Sequence, residues 1–373
     1  MEHNKKHILF LCGWYPSRVL PNNGDFIQRH AEAVSLLHQV SVIHIISDIN
    51  ATRSIEVDSK IVNGIHTHIA YVKPTKNNLV KFQRFYKAFF LLLKKVTHFD
   101  VVHLNKLFPF GLFALYLKWF LKKEYIISEH WTGYHSPQVQ KISKIEVFLS
   151  KHIAKNAKYV CPVSVDLENS MKKLGLKGAF VRVPNVVDTK LFASKKHQTK
   201  TPYTILHVSN MQDHHKNVSG IINTIARFKE YTTDFSLVLI GENSKKYKKL
   251  AAQLNVVNFI KFIEHIPHQE VVNYMQEASV FVLFSNFENL PCVILESFSC
   301  GTPVISTNVG GVNEFFPNNF GYLITPKDEE ALLIKLQAIH KTYVSAEKLH
   351  TYAVTHFSKE VIAKQFSNLY LSN

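Results

Sequence analysis

Short runs of apolar, β-branched and aromatic residues alternate along this chain with stretches whose apolar positions recur every three or four residues. In the first half, the runs at 7–12, 39–46, 100–104, 125–129 and 158–163 read as strands, and 25–37, 79–97, 109–122, 137–156 and 164–174 as helices. In the second half, strands are expected at 203–209, 235–240, 257–261, 279–284 and 303–306, with helices at 217–230, 244–253, 268–277, 292–300 and 327–341. The strand runs are apolar throughout instead of alternating, which predicts parallel sheets covered by helices on both faces. Because the pattern runs twice, the expected fold is α/β with two doubly wound domains. The break falls near Val183-Pro184-Asn185-Val186-Val187-Asp188 and the polar stretch at 194–201. Two such domains facing each other form a cleft at the carboxyl ends of their strands, so chemistry is sought in the loops that follow strands.

Composition changes this picture in one respect. The 373 residues are 46% hydrophobic and 19% charged, an ordinary globular mixture that excludes disorder over most of the chain. The net charge of +16 is unevenly spread. Residues 1–200 hold 30 basic and 13 acidic side chains, and residues 201–373 hold 14 and 15. An anionic partner for the first half is implied: nucleic acid, a membrane surface or a phosphorylated substrate. A merely lysine-rich soluble surface is the plain alternative. The four cysteines show no metal-ligand spacing and suit a reducing compartment. The run Ile8–Cys12 after Lys5 and Lys6 is too short for a signal peptide, and no apolar run reaches the length of a membrane span. A cytoplasmic protein is expected.

The segment richest in chemistry runs from Phe284 to Ile305. An apolar strand ends at Phe284, a polar loop carries Glu288, and Pro291 suits the first position of a helix that stops at Gly301. Glu296 falls in the second turn of that helix. The backbone amides near Asn289 and Leu290 lie at its N-terminus, where the dipole favours an anion. Carboxylates accept two hydroxyl hydrogen bonds at once, so sugar and ribose diols are natural targets for both glutamates. A solvated loop charge at Glu288 and a water-facing helix residue at Glu296 are the bland alternatives. Gly310-Gly311 after the next strand adds a second flexible loop at the same edge.

This segment resembles the family 4 glycosyltransferases of the GT-B fold through Glu288, Pro291, Glu296, Gly301, Pro303, Val304, Ile305, Gly310 and Gly311. The glycine usual after the first glutamate is Asn289 here. The resemblance extends to the glycine loop at Asn23-Gly24-Asp25, to His130 in Ser128-Glu129-His130-Trp131, and to the hinge at Pro184–Asp188. It implies two Rossmann-like domains facing across a cleft. Residues 1–188 would take the acceptor, with a last helix at 359–371, within 357–373, packing back on them, and 201–356 would take the donor. It also implies retention, no metal and no cofactor beyond a nucleotide-diphosphate sugar as co-substrate. Glu288 would hold the transferred sugar, Glu296 the nucleotide ribose, and His130 would face the reacting sugar. Lys216, the Gly24 loop and the amides of Asn289 and Leu290 would hold the diphosphate, and Ile266 would lie near the base. For Gly24 a simple tight turn serves equally on local evidence; a lone histidine is more often structural, and only its place directly after a buried strand promotes His130. Where the family usually has an arginine, this chain has Asn210, in a loop one residue longer that carries His214-His215. That pair is read as a solvated turn. No Asp-x-Asp occurs, so a metal-clamped diphosphate lacks its ligands.

Around 80–96 the basic residues Lys81, Arg84, Lys87, Lys94 and Lys95 occupy an arc of about 140° on a helical wheel, with Phe82, Phe85, Tyr86, Phe89 and Leu92 opposite. Such a helix can lie in an anionic membrane interface, or be a core helix with a solvated basic back. Residues 107–121 read as a buried crossover helix. The expected activity is sugar transfer to a glycan or lipid-phosphate-linked acceptor of surface-polysaccharide or lipopolysaccharide synthesis. The alternatives are a nucleotide-sugar epimerase of the same architecture and a non-catalytic binder of anionic polymer. No nucleic-acid module is recognisable.

Overall fold

The computed structural model describes residues 5–136, 138–195, 202–342 and 344–372. The chain folds into two compact units, 1–186 with 359–373, and 187–358. The polar connection expected at 194–201 lies, from 196 onward, outside the described residues.

The first unit is a seven-stranded sheet in the order β3-β4-β2-β1-β5-β6-β7. Its strands are β1 (His7–Cys12), β2 (Gln39–Ser47), β3 (Ile55–Val62), β4 (Ile65–Val72), β5 (Val101–Asn105), β6 (Glu124–Glu129) and β7 (Tyr159–Pro162). Every pairing is parallel except that of β3 with β4. The helices are α1 (Asp25–Ser35), α2 (Asn78–Leu93), α3 (Gly111–Leu121), α4 (Lys144–Asn156) and α5 (Val165–Lys173). Ile8, Phe10, Val40, Val42, Ile69, Ile126 and Phe366 meet in one core.

The second unit is a six-stranded, wholly parallel sheet in the order β10-β9-β8-β11-β12-β13. Its strands are β8 (Tyr203–Val208), β9 (Phe235–Ile240), β10 (Ile260–Ile263), β11 (Val280–Leu283), β12 (Val304–Thr307) and β13 (Gly321–Ile324). The helices are α6 (Asp213–Lys216), α7 (Val218–Tyr231), α8 (Lys248–Gln253), α9 (His268–Glu277), α10 (Cys292–Ser299), α11 (Glu329–His340) and α12 (Ala346–Phe357). The last helix, α13 (Lys359–Leu371), belongs to the first unit. There it packs along α1: Lys359 pairs with Glu32 at 3.1 Å, and His38 meets the Ser367 hydroxyl at 2.9 Å.

Some elements depart from the expected plan. The sequence pattern does not show the hairpin β3–β4, nor β13 and α12. In α2 the aromatic residues do not form the core face as a block. Ala88, Phe89 and Leu92 face inward, whereas Phe82 and Tyr86 stand in solvent beside the lysines. The crossover helix α3 buries Gly111, Ala114, Leu115 and Leu117 as expected, but its C-terminal end is exposed at Trp119, Phe120 and Leu121. Both departures follow from the width of the stripe a helix buries, set by the sheet beneath it and not by the count of apolar residues. Cys12, Cys161 and Cys300 are buried.

Candidate active site

The strand β11 runs out at Leu283 and the chain reaches α10 through residues 284–291, a connection held from both sides. On one side the His215 carbonyl accepts from the Asn286 amide at 2.7 Å, and the His215 Nε2 donates to the Phe287 carbonyl at 2.7 Å. On the other, Gly310 (φ +56°) lies so close that a Cβ there would sit 1.9 Å from the Glu288 carbonyl oxygen. The Gly311 amide donates to the Asn289 carbonyl at 3.0 Å, and the Thr307 hydroxyl to the Ser285 carbonyl at 2.6 Å. The paired glycines are therefore a close backbone contact that sets the Glu288 loop, where the sequence suggests a flexible one.

Clamped in this way, the Glu288 side chain is 8% exposed and forms an ion pair of 2.5 Å with Lys216 Nζ, itself 13% exposed. Glu288 is no solvated loop charge. Lys216 ends α6, whose first residue, Asp213, accepts from the Ser219 amide at 2.8 Å and from the Tyr247 hydroxyl at 3.2 Å. That bracing fixes the lysine stem opposite the β11 exit. A desolvated pair of this kind gains specificity of position more than net stability, and removing one partner leaves a costly lone charge.

Glu296 lies in the second turn of α10 with its side chain 2% exposed, so the water-facing alternative is also set aside. Its Oε1 lies 3.0 Å from His268 Nε2 on α9, and the His268 ring packs against Phe192 at 4.9 Å. Sequence reasoning misses His268, because nothing in one sequence marks a histidine after Pro267 as the partner of a carboxylate 28 positions on. Asn289 and Leu290 are buried before the helix. Pro291 is the N-cap, in extended conformation, one position earlier than expected. Gly301 ends the helix with φ +77°.

Around this core the remaining donor-side candidates are less engaged. Asn210 is exposed, and its Oδ1 accepts from the Gln212 amide at 3.3 Å, which is a turn's work. Ile266 is half-buried in the connection after β10, where the neighbouring Glu264 carboxylate accepts from the Asn243 amide at 2.9 Å. The His214-His215 pair divides. His214 is exposed, but His215 is half-buried and hydrogen-bonded, which corrects the solvated turn read from the sequence. Burial and the charge of Lys216 lower the His215 pKa, so its ring is no cation at neutral pH.

In the first unit, His130 directly follows β6. Both ring nitrogens are buried, and the ring lies 4.7 Å from Phe26 and 5.3 Å from His30. Burial first, then the neighbouring His30, push its pKa well below the ordinary histidine range, against an opposing hydrogen bond with Asn185. The turn is set by Glu129, a fully buried carboxylate that accepts from the His130 and Trp131 amides at 2.9 and 3.0 Å and from the Leu107 amide at 2.9 Å. Glu129 is legible as an acid ending an apolar strand, but the sequence alone does not single it out. Gly24 caps α1 with φ +79°, and a Cβ there would lie 2.6 Å from the Trp14 carbonyl carbon. The neighbouring backbone explains this glycine without a phosphate.

Residues 27–191 match the Glycosyltransferase Family 4 family and residues 189–355 the Glycosyl transferases group 1 family. The chain is 24% identical over 188 residues to the glycogen synthase of Mycobacterium tuberculosis, covering 48% of this chain and 45% of that one. It is 37% identical over 103 residues to the Vi polysaccharide biosynthesis protein VipC/TviE of Salmonella typhi, 27% of this chain and 18% of that one. The chain spans about half the length, or less, of these curated relatives. In fold it is similar to a sucrose-phosphate synthase of Thermosynechococcus elongatus, with a TM-score of 0.79, 19% identity and 98% of both chains covered. It is also similar to the Anabaena protein HepE solved with UDP and glucose, with a TM-score of 0.74, 15% identity and coverage of 99% and 100%. With both halves matched and two doubly wound units of this topology, the chain belongs to the family 4 glycosyltransferases and has the GT-B fold.

Proposed function

We propose that this chain transfers a sugar from a nucleotide-diphosphate sugar to a glycan or lipid-phosphate-linked acceptor of surface-polysaccharide or lipopolysaccharide assembly, with retention and without metal. The observation that carries the reading is the buried Lys216–Glu288 pair at the β11 exit, with the buried Glu296 on the helix behind it. A buried ion pair of two flexible side chains is a weak device for stability but a good one for a polar, charged ligand that can re-partner both groups.

In this reading the unit 187–358 takes the donor. Glu296 accepts the ribose hydroxyls, Glu288 accepts hydroxyls of the sugar, and the freed Lys216 ammonium faces the diphosphate. As the bond from the anomeric carbon to the phosphate oxygen breaks, negative charge gathers on the leaving diphosphate. Lys216 and the backbone amides near Asn289 and Leu290 stabilise it there. The acceptor hydroxyl oxygen forms the new bond to the anomeric carbon and passes its proton to the leaving diphosphate oxygen. The neutral imidazole of His130 offers a hydrogen bond to a sugar hydroxyl without adding charge. The unit 1–186 takes the acceptor, and its basic composition suits a phosphorylated or lipid-linked molecule and peripheral contact with an anionic membrane.

The test is release of nucleoside diphosphate from UDP-, GDP- and ADP-sugars, with and without a lipid-linked glycan fraction, in the presence of a chelator. Acceptor-dependent release that the chelator leaves intact supports the proposal. Conversion of the donor sugar without any acceptor would favour the epimerase, and no consumption at all would favour a binder of anionic polymer.

A further inference from the structure

The surface formed by α2, α3 and α4 exposes aromatic rings that sugar transfer does not explain. These helices lie side by side on one face of the first sheet: Phe89 stacks on Phe113 at 4.1 Å, α3 packs on α4, and Trp119 meets His152 at 5.6 Å. An unbroken ladder of rings crosses from α2 to α3: Phe82 to Tyr86 at 6.3 Å, Tyr86 to Phe90 at 4.6 Å, Phe90 to Tyr116 at 5.2 Å, and Tyr116 to Phe120 at 4.9 Å. Its two ends stand in solvent, Phe82 at 62% and Phe120 at 69% exposed. Among the described residues, every exposed phenylalanine and tryptophan lies on these three helices, with Trp119 on α3 and Phe148 on α4. Scattered exposed apolar residues are ordinary, but a contiguous aromatic band is a docking surface.

The charge around the band names its partner. Between residues 73 and 123 there are eleven lysines and arginines and a single acid, Asp100. Exposed Lys87 lies on α2 and exposed Lys94 just past its end, and Lys122 and Lys123 follow Phe120 after Leu121. Aromatic rings that stand proud of a helix layer, ringed by long basic side chains, match the boundary between headgroups and acyl chains of an anionic bilayer. A protein partner would want acids or buried anchors, whereas these lysines can reach outward while the rings insert.

We propose that the α2–α3 aromatic ladder is a docking surface for an anionic lipid bilayer, with Phe82, Tyr86 and Phe120 inserting and the flanking lysines contacting lipid phosphates. The inference sharpens the membrane contact named in the proposed function. Its test does not depend on turnover, so the two readings fail separately.

The full chain is floated with vesicles of phosphatidylcholine alone and of phosphatidylcholine with phosphatidylglycerol, at low and high salt. Flotation with the anionic vesicles only, and release by salt, are expected. The variant Phe82→Ser/Tyr86→Ser/Phe120→Ser should lose about tenfold in vesicle partition. Lys87→Glu/Lys94→Glu should lose about fivefold for each lysine removed. Lys248→Glu/Lys249→Glu, exposed lysines of the other unit, should float like the wild type. A melting temperature without ligand that is unchanged in all three variants reports that each is folded and keeps the donor-site question apart. No flotation of the wild type, or equal flotation of the aromatic variant, overturns the proposal. So does a dimer in solution that the aromatic variant dissolves, because the band would then be covered by a second copy of the chain.

Discussion

The two units are built on the same plan but spend their polar residues differently. The first buries neutral histidines: His30, His44, His103 and His130 all have pKa values pushed down by burial, His30 and His44 to about 4. The second buries one such ring, His207, also near 4, and adds a nearly buried ion pair, Lys216 with Glu288, and a buried carboxylate, Glu296, whose Oε1 lies against the part-exposed His268 ring. Charge follows the same division, since residues 1–200 carry 17 more basic than acidic side chains and residues 201–373 one fewer. A neutral buried ring can hold or offer a proton without attracting counterions, which suits a site for a neutral hydroxyl. A buried ion pair that must re-partner suits a ligand bearing both hydroxyls and a diphosphate.

The sharpest way to break this comparison is at the paired charges. Glu288→Gln and Lys216→Met should each lower transfer by about a hundredfold to a thousandfold, the loss typical of removing one preorganised charge-stabilising group. Wild-type rates in both would remove the second unit's claim to the chemistry. The same substitutions should also destabilise that unit by about 3 kcal/mol, because each leaves a nearly buried partner uncompensated. Chemical denaturation measures this separately from activity.

Acid should break the other unit first, because among the described residues it holds four such buried histidines and the second unit one, His207. A histidine whose folded pKa lies near 4 and whose unfolded pKa is 6.5 binds more protons unfolded, so its contribution is complete above pH 6.5 and falls away toward pH 4. Loss of about 3 kcal/mol for each of His30 and His44 is expected across that window. All three tryptophans, Trp14, Trp119 and Trp131, lie in the first unit. Tryptophan fluorescence should therefore change at a higher pH than the far-ultraviolet signal of the whole chain. Coincident transitions would show that the buried histidines do not set the difference.

Gly310→Ala should cost about 2 kcal/mol through a side chain forced into left-handed backbone against the Glu288 carbonyl, and should reduce transfer more than overall stability suggests. The smallest effect is expected at Arg227→Ala. Its pair with Glu330 is 2.5 Å long, as is that of Lys216 with Glu288, but both partners are exposed, so solvent screens the pair and chemical denaturation should show almost no loss. A larger loss there would mean that length, and not burial, ranks the ion pairs of this unit.

Most of the scaffold is legible because parallel strands buried on both faces read as continuous apolar runs; β1 and α13 match their expected bounds to the residue. The β3–β4 hairpin escapes such a reading because Ile55–Val62 is an edge strand carrying Glu56, Asp58 and Lys60, and it lacks that apolar signature. Its Asn63-Gly64 turn is the available signal. β13 begins on a glycine and is only partly buried over its first three residues, so it lacks the apolar run that marks the inner strands. At the site, the positions of Glu288 and Glu296 can be read from their spacing around Pro291 and Gly301. Their partners cannot, because Lys216 and His268 reach them from other elements, 72 and 28 residues away in the chain. The same limit hides the role of Gly310, which is visible only when two loops are seen to touch.

The account turns on whether the second unit binds an activated nucleotide through its buried carboxylates and lysine. Thermal melting of the wild type, Lys216→Met and Glu296→Gln with UDP, GDP, ADP and CMP tests this directly, since a ligand that binds only the folded state raises the melting temperature. One diphosphate should raise the wild-type value by several degrees, and both variants should lose most of that shift. A wild type indifferent to every nucleotide, or variants that respond as fully as the wild type, would contradict it.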